Sequence, residues 1–86
     1  MILNFKDAET EKVYATGKSR KLGPIARVAA RRLAAIEFAK ALADLTELPL
    51  KGDRKGQYSI CIKGQYWLCF QWNGKDAADV EIVDYR

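Results

Sequence analysis

The sequence predicts an α+β fold: two N-terminal helices packed on one face of a small, mainly antiparallel, twisted sheet whose other face stays open. Three observations carry this. Residues 24–43 contain no glycine and no proline after Pro24, and they are rich in alanine, a strong helix former. Residues 58–62 and 66–72 alternate inward and outward side chains with the period of a strand. Both helical stretches precede these strands, so they can cover only one side of the sheet. At 86 residues the chain is expected to form one domain, residues 1–86.

Residues 2–5 read as a short first strand. Asp7 is a plausible N-cap, and Glu9 and Glu11 lie in or near the first turn, where carboxylates offset exposed amides. The first helix should run to about Ala15 with Val13 and Tyr14 inward, and Thr16-Gly17 should end it. Gly23-Pro24 opens the second helix. In it Ile25, Val28, Ala29, Leu33, Ile36 and Ala39 recur at three- and four-residue steps, while Arg27 and Arg31 stack on another face.

Residues 44–49 read as a turn, and residues 50–54 lead into Gly56. The hairpin that follows is constrained by parity. Tyr58, Ile60 and Ile62 must share a face with Tyr66, Leu68, Phe70 and Trp72, so the numbers of paired residues must sum to an even value. A three-residue connection, Lys63-Gly64-Gln65, meets this condition and a two-residue one does not. Ile60 then pairs with Leu68 and Tyr58 with Phe70 inside, Cys61 with Trp67 and Ser59 with Cys69 outside. The outer face carries Ser59, Cys61, Lys63, Gln65, Trp67, Cys69 and Gln71, polar with one exposed indole. Asn73-Gly74 signals a turn before a last strand at 78–84.

The chain has no histidine, which excludes His-based acid–base chemistry and His-ligated metal sites. Cys61 and Cys69 match no zinc spacing, and their diagonal placement at about 7 Å is at the limit of a disulfide. Free thiols fit a reducing compartment. No apolar run approaches the length of a membrane span, and residues 1–5 do not read as a signal peptide. A cytoplasmic protein with no cofactor is expected.

Net charge is +4, and its distribution says more than its sum. Residues 18–32 hold Lys18, Arg20, Lys21, Arg27, Arg31 and Arg32 and no acid. Residues 51–75 add Lys51, Arg54, Lys55, Lys63 and Lys75 against Asp53 alone. Asp76, Asp79, Glu81 and Asp84 then reverse the sign. Such a stripe points to a polyanion, nucleic acid first; the alternative for a charge run alone is a solvated helix face.

Residues 50–60, Leu-Lys-Gly-Asp-Arg-Lys-Gly-Gln-Tyr-Ser-Ile, resemble the central segment of HigB-like toxins, also called plasmid maintenance killer proteins, of the RelE/ParE superfamily. Gln65-Tyr66 ahead of Leu68-Cys69-Phe70, and the ending Asp79-Val80-Glu81-Ile82-Val83-Asp84-Tyr85, are similar to the same family. The resemblance covers essentially the whole chain. It implies a RelE-like fold and the toxin of a type II toxin–antitoxin pair. It further implies a metal-independent endoribonuclease that enters the ribosomal A site and cuts mRNA, the message's own 2′-hydroxyl attacking the adjacent phosphate. The implied partners are the ribosome, mRNA and a cognate antitoxin, HigA-like and of helix-turn-helix type, with no membrane.

Carried over residue by residue, the resemblance makes Asp84 a base or orienting group and Tyr85 a group that positions the nucleotide or relays a proton. It makes Lys51 a phosphate contact, and Arg86 keeps a positive charge beside the site. Arg54, Lys55, Lys63, Trp67, Cys61, Lys18, Arg20 and Lys21 are candidate RNA-binding positions. Asp84 as a strand cap, Tyr85 as core and Lys51 as a plain surface lysine are the structural alternatives. The chain departs from the family pattern at four positions. The family usually has a basic residue at Cys61, an arginine at Trp67 and a terminal histidine at Arg86, and some members have a histidine at Leu48. In the family the two positive groups at positions 61 and 67 would sit on the scissile phosphate. Loss of one preorganised charge typically costs on the order of 10²–10³ in rate, so the loss of both at Cys61 and Trp67, with no histidine to help, would leave an inactivated toxin. An indole at position 67 would instead stack on a base. Two other classes compete: a ParE-like gyrase inhibitor, and a non-enzymatic module that binds RNA or antitoxin.

Overall fold

The structure is a computed structural model that describes residues 1–45, 50–52 and 56–84. Helix α1 spans Ala8–Thr16 and α2 spans Ile25–Phe38, followed by a 3-10 turn at Leu42–Leu45. Strands β1 (Leu50–Gly52), β2 (Gln57–Lys63), β3 (Tyr66–Trp72) and β4 (Ala77–Asp84) form one antiparallel sheet in chain order. Asp7 caps α1 as expected, its Oδ1 accepting from Thr10 N at 2.7 Å. Gly17 ends the helix in the left-handed region, at φ 70°, where glycine has no Cβ penalty.

Both helices lie on one side of the sheet. Ala26, Ala29, Leu33 and Ile36 of α2 and Val13 of α1 pack with Ile60, Ile62, Leu68, Phe70, Ala77 and Val80 of the sheet. Alanine on the contact face lets the α2 backbone come close to the strands. Ile25 and Val28, expected on that face, are only half-buried, and Ala26 takes the deeper place.

Further expectations change. The second helix stops at Phe38, well short of residue 43. Asp44 Oδ2 accepts from Lys40 N (2.9 Å) and Ala41 N (3.2 Å), the latter contact being that of an N3 acid reaching back to the N-cap amide. That local cap starts a new turn which buries Leu45, and it overrides the alanine propensity. Residues 2–5 do not form a full strand. They make two isolated parallel bridges to β4, Ile2↔Ala77 and Phe5↔Val80. Between these, Asp79 adopts φ 52° and the β3–β4 register shifts. Asn4 meets this bulge with its side chain: Oδ1 accepts from Asp79 N (3.1 Å), and Nδ2 donates to Asp79 Oδ1 (2.9 Å).

The hairpin pairs are those predicted by parity: Tyr58↔Phe70, Ser59↔Cys69, Ile60↔Leu68 and Cys61↔Trp67. The connection is nevertheless two residues, because a bulge between Cys61 and Lys63 absorbs the odd residue and pairs Lys63 with Tyr66. The turn assigned to residues 44–49 begins in the 3-10 turn at Asp44 and Leu45, and its remainder lies outside the described residues. Residues 50–52, read only as a lead-in, form the edge strand β1.

Candidate nucleic-acid interface

The sheet face away from the helices is built in rows. Lys51, Ser59, Cys69 and Glu81 stand side by side across β1 to β4. Cys61, Trp67 and Val83 form the next row, toward the hairpin end. Gln57 and Gln71 form a row on the other side. No helix among the described residues covers this face. The rows are not uniformly exposed: Cys69 is buried, and Cys61, Trp67 and Val83 are half-buried. The indole expected to stand free is therefore partly covered, and Lys51 Nζ lies 5.2 Å from its ring centroid. Glu81 adds an acid to this face, tied to Lys6 at 3.7 Å. Both cysteines are free thiols.

Asp84 belongs to the opposite side. It is paired with Tyr66, whose neighbours Leu68 and Phe70 face the helices. Asp84 lines a cleft of about 70 Å³ with Tyr66, Ile82, Asp7, Glu9, Thr10, Lys21 and Leu22. Two buried polar residues build this cleft. Thr10 Oγ1 accepts from Ile82 N at 3.0 Å, so α1 closes the outer edge of β4 just before Asp84. Ser19 Oγ donates to the Glu9 carboxylate and accepts from Leu22 N at 3.2 Å, which fixes the interhelical loop that presents Lys21.

The sequence-derived site residues therefore fall into groups. Lys51, Cys61 and Trp67 come together on the open face. Lys63 is exposed at the hairpin rim opposite Tyr66, where the bulge removes it from the file of Ser59 and Cys61. Lys21 joins Asp84 in the cleft. Lys18 lies on another surface with Arg27, and Arg20 is exposed in the loop between the helices. Arg54, Lys55, Tyr85, Arg86 and the family position at Leu48 lie outside the described residues. Val83, Tyr66 and Thr10 carry no site role in the sequence reading; period-two spacing puts Val83 on the outward face of its strand, and the β3–β4 register sets it beside Trp67. Among the described residues no three His, Cys, Asp or Glu side chains converge as metal ligands, and no helix is long and apolar enough to cross a membrane.

The HigB-like toxin family, described as RelE-like toxins of type II toxin–antitoxin systems of the HigB kind, matches residues 3–86. The chain is 38% identical to Toxin HigB-1 of Vibrio cholerae serotype O1, over 84% of each chain. It is 35% identical to Endoribonuclease HigB of Proteus vulgaris, over 64% of this chain and 65% of that protein. The antiparallel sheet with one covered and one open face agrees with this likeness, as does the central segment beginning at Leu50. The chain belongs to the HigB-like toxin family and is a RelE-like toxin of a type II toxin–antitoxin system, with an antitoxin as its partner.

Proposed function

We propose that this toxin is an mRNA endoribonuclease acting on the ribosome in the cytoplasm, with a HigA-like antitoxin restraining it. The observation that carries the reading is the uncovered sheet face, with Lys51 beside Trp67, which ends where β4 delivers Asp84. The similar protein of Proteus vulgaris is named an endoribonuclease. Single-stranded RNA needs a cationic groove and a stacking surface, and this face supplies a lysine and an indole.

Trp67 and Tyr66 are consecutive, as are Val83 and Asp84, so the open face and the cleft meet at one end of the sheet. In this reading the message lies on the open face and its scissile phosphate reaches that end. Asp84 accepts the 2′-hydroxyl proton, the 2′-oxygen bonds to phosphorus, and the P–O5′ bond breaks. The leaving 5′-oxygen takes a proton, giving a 2′,3′-cyclic phosphate and a 5′-hydroxyl. Tyr85 positions the nucleotide or relays that proton, while Lys51 and Arg86 offset charge on the phosphorane. The last roles follow from family resemblance.

The test is to incubate the purified toxin with programmed ribosomes and map message ends. Cuts within the A-site codon are expected, and they should be lost in Asp84→Asn. Gyrase inhibition without cuts would replace this reading with the ParE-like one. RNA or antitoxin binding without either activity would make the protein a non-enzymatic module.

A further inference from the structure

In the free protein Lys51 Nζ sits over the Trp67 ring, 5.2 Å from the centroid, within the range of a cation–π contact. The two residues are on different strands. Lys51 is on the edge strand β1 opposite Ser59, and Trp67 is on β3 opposite Cys61. At these rows β2 places only the small Ser59 and Cys61 between them, so the lysine reaches across a strand to the indole. On its far side Trp67 is flanked by Val83. Cys61, Trp67 and Val83 thus form an uncharged strip on a face whose next row is polar. The strip offers uncharged surface to a planar group, and the Lys51 ammonium already sits over the indole.

We propose that Lys51 and Trp67 form a capped nucleobase subsite in which one ribonucleotide exchanges both partners at once. Without RNA the ammonium covers the indole. When a single-stranded RNA segment binds, a base takes the indole face and an adjacent phosphate takes the ammonium. The cap shields an otherwise bare indole and is released only by a ligand that brings both a π-face and a negative charge. This rests on the reading that RNA occupies the open face and adds a thermodynamic signature to it. The exposed cation–π contact is worth a factor of roughly two to five. A stacked base is worth roughly five- to 150-fold, so the exchange is favourable.

The signature is non-additivity. Binding of RNA to the wild type must first break the Lys51–Trp67 contact, whereas either single variant has already lost it. Trp67→Ala and Lys51→Ala should each weaken binding of a fluorescein-labelled, non-cleavable 2′-O-methyl oligoribonucleotide. The double variant should weaken it by roughly two- to fivefold more than the product of the single effects. Lys51→Ala should also reduce the salt slope by about 0.7. In a Trp72→Phe background, the oligonucleotide should quench Trp67 emission, while an abasic oligomer of equal length should not.

A double effect equal to or below the product overturns the proposal, as does equal quenching by the abasic oligomer. Quenching by the antitoxin but not by RNA would assign the strip to a protein partner and overturn it too. Message cutting on ribosomes with no coupling removes the subsite alone. Coupling and quenching in a protein that cuts nothing remove the cleavage reading alone.

Discussion

Gly52 and Tyr58 face each other across β1 and β2, and the tyrosine ring lies directly over the glycine. A Cβ on Gly52 would come within 2.5 Å of Tyr58 Cε1 and 2.8 Å of Cδ1. Tyr58 is held in turn against Phe70, with ring centroids 6.1 Å apart and nearly parallel planes, so it has little room to yield. Gly52→Ala should therefore cost about 1–3 kcal/mol, the range for overpacking, measured as a lowered denaturation midpoint at unchanged m-value. The inward direction of Tyr58 was legible from its period-two pattern, but its glycine partner was not, because nothing in the sequence marked residues 50–52 as a strand. Asp84 is a different case. Its place on the helix side follows from the spacing of Val80 and Ile82, whereas the family resemblance assigned it a role and no face. At Trp67 the cost to chemistry is separable from the gain in stacking. Trp67→Arg should raise the rate of message cutting on ribosomes by on the order of 10²–10³, and the double change with Cys61→Arg should increase toxicity in cells without antitoxin. An unchanged rate would remove the phosphate-contact role assigned to that position.

Among the elements, α1 does two jobs. Its cap at Asp7 sets the start of the helix, and Thr10, one turn in, closes the edge of β4. Asp7→Ala should lose about 1 kcal/mol. Thr10→Val keeps the shape but leaves the Ile82 N–H without its acceptor, at about 1–3 kcal/mol. Native-state hydrogen exchange should then show faster exchange at Ile82 than in the Asp7→Ala protein. The first helix, its cap and its glycine exit were readable because each rests on contacts within a few residues. The end of α2 was not, since it depends on Asp44 folding back on Lys40 and Ala41 in competition with a strong helical run. The bulges near Lys63 and Asp79 were hidden for a related reason. Alternation fixes the parity of pairing over a strand but not where a single extra residue is absorbed.

At the scale of the molecule, positive charge is spread over two surfaces that the sequence runs together. Arg27 and Arg31 are exposed on α2, on the far side from the open face, whereas Lys51 stands on the open face itself. Composition alone indicated a polyanion partner and could not choose between them. The sheet face combines a lysine with an indole and an uncharged strip, whereas the exposed arginines of α2 belong to a helix whose other face is committed to the core. RNA binding by the open sheet face depends on this choice. The most direct measurement is a backbone and side-chain NMR titration of the toxin with a non-cleavable single-stranded oligoribonucleotide. Shifts are expected to concentrate at Lys51, Cys61, Trp67 and Val83. Shifts centred on Arg27 and Arg31, with the open face unmoved, would contradict it.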